Sequence, residues 1–261
     1  MDIRLTGRNA LVTDGSLGIG RATALQLALS GADVAITARD GARLAQVAKE
    51  LSRESGRRIV AVPGDMSRNE DIERVVATAR EALGHIDILI NNAGASPAGR
   101  LYELTDELWR ASFELKLMGY MRCARAVLPQ MQARRWGRII NVSGRGGAIA
   151  TPGYLLGAFN AAVTHFSRAL AREAAPHQVL VNDVSPGGVN TPRLQSIIEQ
   201  KAKTTGRPRK EIEAEWYATV PLGRMAEPED IADLITFLCS DRARHIAGAI
   251  LNIDGGGMGG V

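Results

Sequence analysis

Aromatic side chains make up only 4% of this 261-residue chain, and it has two cysteines. With so few rings, no basic stretch carries interleaved aromatics, and a net charge of +4 is too small to suggest a polyanion surface. No nucleic-acid partner is expected. Cys123 and Cys239 lie far apart, with no CxxC or metal-like spacing, so the expectation is buried free thiols in a reducing compartment and no metal. No run approaches the roughly 18 apolar residues that a membrane helix requires. The opening "MDIRLTGRNALVTDG" mixes acidic and basic residues, unlike a signal peptide. These absences point to a soluble, cytoplasmic protein without membrane contact.

The 45% hydrophobic and 23% charged fractions are those of an ordinary packed domain. Short apolar runs recur along it: "NALVT" (9–13), "DVAITA" (33–38), "RIVAVPGD" (58–65), "IDILINNAG" (86–94), "GRIINVS" (137–143), "VLVNDVSPG" (179–187) and "AILNIDGG" (249–256). Each reads as a buried strand, and the stretches between several of them place apolar residues at helical spacing. Strand–helix alternation with short glycine-bearing connections predicts right-handed βαβ units. The fold class expected is α/β: a single domain over 1–261, Rossmann-like, with a doubly wound parallel sheet and helices on both faces. One region, about 190–225, breaks the alternation with polar helical material and a "GRP" interruption. An insertion near the carboxyl ends of strands is well placed to cover a substrate, although a solvated surface hairpin would read the same way.

"TDGSLGIGRA" (13–22) follows the first strand and opens the first helix. Glycines there let the backbone approach a pyrophosphate, and the helix N-terminal amides face its charge. This turn is similar to the T-G-x-x-x-G-x-G turn of the short-chain dehydrogenase/reductase family, with Asp14 in place of the first glycine. Further matches follow in order: Asp65, "NNAG" (91–94), "VNDVSPGGVNT" (181–191), "PLGRMAEPEDIADLITFLCSD" and "NIDGGG". The chain resembles that family over essentially its whole length.

The resemblance implies a nicotinamide dinucleotide. Asp14, Ser16, Gly18, Ile19 and Gly20 would form the pyrophosphate turn. Asp65 and Met66 would flank the adenine, and Asn91, Ala93 and Gly94 the adenosine ribose. Pro186, Gly187, Val189 and Thr191 would hold the nicotinamide. After the second strand, Arg39 stands without an acidic neighbour at the ribose position and suits a 2′-phosphate, so NADP(H) is favoured and NAD(H) remains possible. Asp14 pulls the other way, because its carboxylate would repel that phosphate.

The family's acid–base residues are a Tyr, a Lys, a Ser and an Asn. Anchored on "NAAV" (160–163), the Tyr position is Leu156 and the Lys position Asn160, while the Asn position is Lys116. For the Ser, counting back from Leu156 gives Ser143, whereas matching the strand gives Gly144. Lys and Asn thus look exchanged, which would keep a cation in the cluster. Tyr154, two residues before the vacated position, is the candidate proton donor if "TPGY" is still loop. The catalytic candidates are therefore Lys116, Ser143, Tyr154 and Asn160. The expected function is an oxidoreductase acting on a small carbonyl or alcohol substrate with displaced or impaired acid–base residues. The alternative is a non-catalytic dinucleotide-binding or regulatory protein on the same fold. A homo-oligomer, tetramer or dimer, is what the family implies.

Overall fold

In the computed structural model, which describes residues 3–94 and 97–257, all seven runs form strands. They are β1 (Asn9–Thr13), β2 (Asp33–Thr37), β3 (Ile59–Ala61), β4 (Ile88–Asn91), β5 (Gly137–Val142), β6 (Val179–Pro186) and β7 (Ile250–Ile253). The order across the sheet is β3-β2-β1-β4-β5-β6-β7, and every pairing is parallel. The doubly wound parallel sheet is therefore as expected. The run at 58–65 yields only three strand residues: β3 is the sheet edge, and Pro63 brings no amide to the ladder.

Between the strands lie α1 (Gly18–Leu29), α2 (Gly41–Ser55), α3 (Asn69–Leu83), α4 (Asp106–Ser112), α5 (Gly119–Arg134), α6 (Ala158–Ala174), α7 (Pro192–Thr205), α8 (Arg209–Ala218) and α9 (Pro228–Cys239). Strand residues alternate between two apolar layers, because successive side chains leave a strand on opposite sides. Ala10 and Val12 pack with Leu27 of α1, Leu44 of α2 and Ile235 of α9. Leu11 turns to the other face, which is closed by Val75 of α3, Val127 of α5 and Leu170 of α6. Both cysteines are buried, and burial pushes each thiol up to about 12. Among the described residues, no helix is long and apolar enough to cross a membrane.

The irregular 190–225 region is a helical hairpin, α7 and α8. Thr191 caps α7 by accepting from the Leu194 amide, Gly206 ends it in the left-handed region, and Pro208 precedes α8. Leu194, Ile198, Ile212, Val220 and Met225 close on one another, with Trp216 against them, as a small core of their own.

Candidate functional site

The sheet order reverses direction between β1 and β4, and the carboxyl ends of these strands flank the crevice such a reversal creates. Thr13 fixes its floor. Its hydroxyl donates to the Ile90 carbonyl at 3.2 Å and accepts from the amides of Asn92 and Ala93 at 2.8 and 3.0 Å. Asp14 then takes the left-handed conformation, with φ of 54°, that a glycine would hold without strain. The turn expected of Asp14 therefore survives the substitution.

The helix that follows opens without a side-chain cap, as α3, α5, α6 and α8 also do. α2 and α7 have side-chain caps from Asp40 and Thr191, whereas Leu17 at the N-cap of α1 offers none. The first amides of α1 are thus left for something outside the helix. A methyl group on Gly20 would overlap the Asp14 carbonyl oxygen and lie 2.8 Å from Asn92 Nδ2. One on Gly18, whose φ is also positive, would lie 3.1 Å from Thr191 Cγ2. The turn and the loop after β6 therefore close on the same strip of crevice. Ser16 is buried in the turn, and Ile19 is half-buried in the first turn of α1. Past the end of β2, exposed Arg39 lines a recess with Pro63, Gly64, Asp65, Asp71 and Arg74. Crowding by protein pushes the Asp14 carboxyl upward, against the pull of Arg39 and Arg193. These residues fit a dinucleotide phosphate with an additional anionic group near Arg39.

At the other end of the crevice, Gly187 donates to the Ile253 carbonyl, and a methyl on it would come within 2.7 Å of Asp254 Cβ. Pro186 ends β6, and Val189 bridges Ala226. Gly94 is a junction. Its carbonyl accepts from Arg193 at 2.8 Å, and a methyl on it would lie 3.2 Å from Lys116 Nζ.

Lys116 sits in a π-helical turn, Phe113–Met118, between α4 and α5. It is 7% exposed, and its ammonium donates to the Val142 and Ser143 carbonyls at 2.8 and 2.9 Å. Among the described residues, these account for two of its three N–H bonds. Burial lowers its pKa to about 8, with Asp183 opposing and Arg193 adding to the shift. Tyr120 shares the Val142 carbonyl, donating at 3.0 Å, and places its ring 5.3 Å from the ammonium. Burial, aided by Asp183, Asp14 and Cys123, pushes the Tyr120 phenol well above its usual value.

Tyr154 lies in a loop before α6, half-buried, with its ring against Gly146. Asn160 Nδ2 donates to the Tyr154 hydroxyl at 3.4 Å, and a methyl on Gly144 would stand 3.3 Å from the same nitrogen. Leu156 is fully buried. Tyr154, Asn160, Gly144 and Lys116 therefore gather around the carboxyl end of β5.

Three expected residues face elsewhere. Ser143 donates its hydroxyl to Asp183 at 2.5 Å, and of the two serine alternatives it is Gly144 that borders Asn160. Asn91 is fully buried, donating to Asn141 Oδ1 at 2.8 Å and to the Tyr120 carbonyl at 3.3 Å, so its side chain serves the core. Met66 likewise sends its thioether inward, toward Cys123. The Asp65 carboxylate is engaged by the amide and hydroxyl of Ser67. Asp183, Tyr120 and Arg193 were not anticipated. A signal for Asp183 existed: it is the acid in the apolar run "VLVNDVSPG".

The family model described as enoyl-(acyl carrier protein) reductase matches residues 15–257. A 3-oxoacyl-(acyl-carrier-protein) reductase of Aquifex aeolicus is 33% identical over 98% of this chain and 99% of its own length. A D-beta-hydroxybutyrate dehydrogenase of Cupriavidus necator is 34% identical over 97% and 98%. The L-sorbose reductase of Gluconobacter frateurii, solved in complex with NADPH and L-sorbose, superposes with a TM-score of 0.94 at 32% identity, covering all of both chains.

Proposed function

Because the chain belongs to the short-chain dehydrogenase/reductase family, we propose that it binds NADPH in preference to NADH and reduces a small carbonyl substrate or oxidises the corresponding alcohol. The bound nicotinamide supplies or accepts the hydride. The chain's own residues handle the proton and the geometry. Tyr154 donates to the developing alkoxide in reduction and accepts from the alcohol in oxidation, with Asn160 holding its hydroxyl. Lys116 supplies positive charge from α5's side of the crevice, at the position the family gives to Asn, while Asn160 occupies the family's Lys position and Leu156 its Tyr position. The observation that supports this reading is the Asn160–Tyr154 contact at 3.4 Å beside Gly144, which holds a phenol against the side chain aligned with the family's Lys. A homo-oligomer is part of the same proposal.

Calorimetric titration with both cofactors, followed by a carbonyl screen monitored by nicotinamide absorbance, tests the reading. Charge-assisted contacts to phosphate are worth about 1.5–3 kcal/mol, so Arg39→Ala weakens NADPH binding by about tenfold or more and leaves NADH within about twofold. Asp14→Gly strengthens NADPH binding, because it removes the opposing charge and relieves the left-handed aspartate. Equal affinities in the wild type would mean that Asp14 outweighs Arg39. That Lys116 is buried and spends two of its N–H bonds on backbone carbonyls favours a second reading, a dinucleotide-binding protein without catalysis. Tight NADPH binding with no turnover across the screen would support it.

A further inference from the structure

Asp183 has no part in the chemistry above, yet an acid in the interior of β6 is costly unless partnered. Its two oxygens are both engaged. Oδ1 accepts from Ser143 Oγ at 2.5 Å, and Oδ2 accepts from Thr164 Oγ1 at 3.2 Å. Ser143 is also the residue whose carbonyl accepts from Lys116 Nζ at 2.9 Å. One residue at the end of β5 thus carries the cation on its carbonyl and the carboxylate on its hydroxyl. Thr164 lies one helical turn beyond Asn160 on α6, so the same network reaches the helix that holds Tyr154's partner. Resting on the oxidoreductase reading, we propose that Asp183 is the positioning residue of Lys116: a buried counter-charge, linked through Ser143, that keeps the ammonium charged and seated under Gly94.

The charges acting on this pair come from a short set of neighbours. Lys116 is faced by Asp183 from β6, by Arg193 from α7 and by the Tyr120 ring from α5. Asp183 is faced by Ser143 after β5, by Thr164 from α6, by Lys116 and by Tyr120 from α5. Burial raises the Asp183 carboxyl to about 6, with the two hydroxyls and Lys116 pulling it back down. Burial lowers Lys116 to about 8, and Asp183 raises it against that trend. Both groups are therefore charged between about pH 6 and about pH 8. Below that window the carboxylate takes a proton and its support for Lys116 ends. Above it the ammonium loses its own. Removing the Asp183 charge must move the Lys116 midpoint downward, because burial and Arg193 then act unopposed.

The test follows the Lys116 side chain by NMR after ¹³C labelling of lysine Cε, in the full-length protein with and without NADPH. In the wild type, the Lys116 resonance shows its main titration and a second inflection where Asp183 protonates. Asp183→Asn, whose amide oxygen accepts from one hydroxyl while its NH2 donates to the other, abolishes the second inflection and lowers the midpoint by about one pH unit. Thr164→Val, remote from the ammonium, moves the second inflection upward because the carboxylate loses a donor. The basic limb of the pH–rate profile shifts down with the Lys116 midpoint in Asp183→Asn. An unchanged midpoint in folded Asp183→Asn overturns the proposal. Should that variant not fold, a Thr164→Val protein whose Lys116 resonance shows no displaced inflection overturns it equally. A shifted midpoint without turnover upholds the pair and counts against the oxidoreductase reading alone.

Discussion

Tyr154→Phe lowers the turnover number for carbonyl reduction by at least about a hundredfold, the usual consequence of losing a positioned acid or base, and leaves NADPH affinity within about twofold. The substitution is clean because the Tyr154 ring packs on Gly146 and Gly157, contacts that phenylalanine keeps. Its polar loss is the 3.4 Å contact with Asn160 Nδ2. That donor is buried to 3% exposure, so the variant also leaves it short of an acceptor, and a small drop in thermal midpoint accompanies the loss of rate. Steady-state kinetics on whichever substrate the screen identifies decides the matter. Full activity in Tyr154→Phe would make the tyrosine a packing residue and assign the proton to Lys116 or to water. An intermediate loss with a displaced pH profile would indicate that a second group substitutes for the phenol.

Gly20→Ala weakens NADPH binding at least about tenfold, about 1.4 kcal/mol, and more than Gly18→Ala does. The two glycines fail for different reasons. Gly18 has a positive φ of 51°, which costs an alanine about 1–2 kcal/mol, and its methyl would touch Thr191 at 3.1 Å, where a side chain can yield. At Gly20 the obstacle is backbone: the methyl would overlap the Asp14 carbonyl oxygen, which cannot move without opening the turn. Opening it swings the uncapped amides of α1 away from one another and separates β1 from the Asn92 side chain, which donates to the Thr13 carbonyl at 3.2 Å. Calorimetric titration and thermal denaturation of the two variants side by side test the order. Wild-type affinity in folded Gly20→Ala would remove this turn from the phosphate site.

The fold was readable because its signals are redundant. Each strand run is apolar and bounded by glycine or a polar turn, and every run but the last is followed by helical elements, so an error at one boundary leaves the order intact. The "GRP" break in the 190–225 region marked the corner between α7 and α8, where Gly206 and Pro208 stand. The candidate site was most legible at its glycines, where close backbone packing at Gly18, Gly20 and Gly187 leaves no room for a side chain. It was less readable wherever a side chain's direction decided its role. Ser143 and Gly144 are neighbours at a strand end, and a single residue of alternation determines which borders Asn160 and which faces Asp183. Asn91 lies opposite Asn141 in the β4–β5 register, so the two amides meet in the core rather than in the crevice. A motif names a position but does not orient it. Asp183 escaped because an acid within an apolar run has meaning only when its partners, Ser143 and Thr164, are known, and they come from the residue after β5 and from α6.

The α7–α8 hairpin satisfies its apolar residues internally, with Leu194, Ile198 and Ile212 closing against Val220 and Met225. It is joined to the rest of the molecule by the Val189–Ala226 bridge, the Arg193–Gly94 hydrogen bond, the Leu222 amide donating to the Gly255 carbonyl at 3.0 Å and the Arg224–Asp230 ion pair with α9. A segment that stabilises itself is inherited differently from one that shares the main core. Its replacement is expected to spare the main core and to need a matched partner for Asp230 of α9, which pairs with Arg224 at 2.8 Å. A chimera carrying a relative's residues between Thr191 and Met225 is expected to fold, keep its cofactor, and adopt the donor's choice of carbonyl; a chimera that binds NADPH but retains the original choice would place selectivity elsewhere in the crevice.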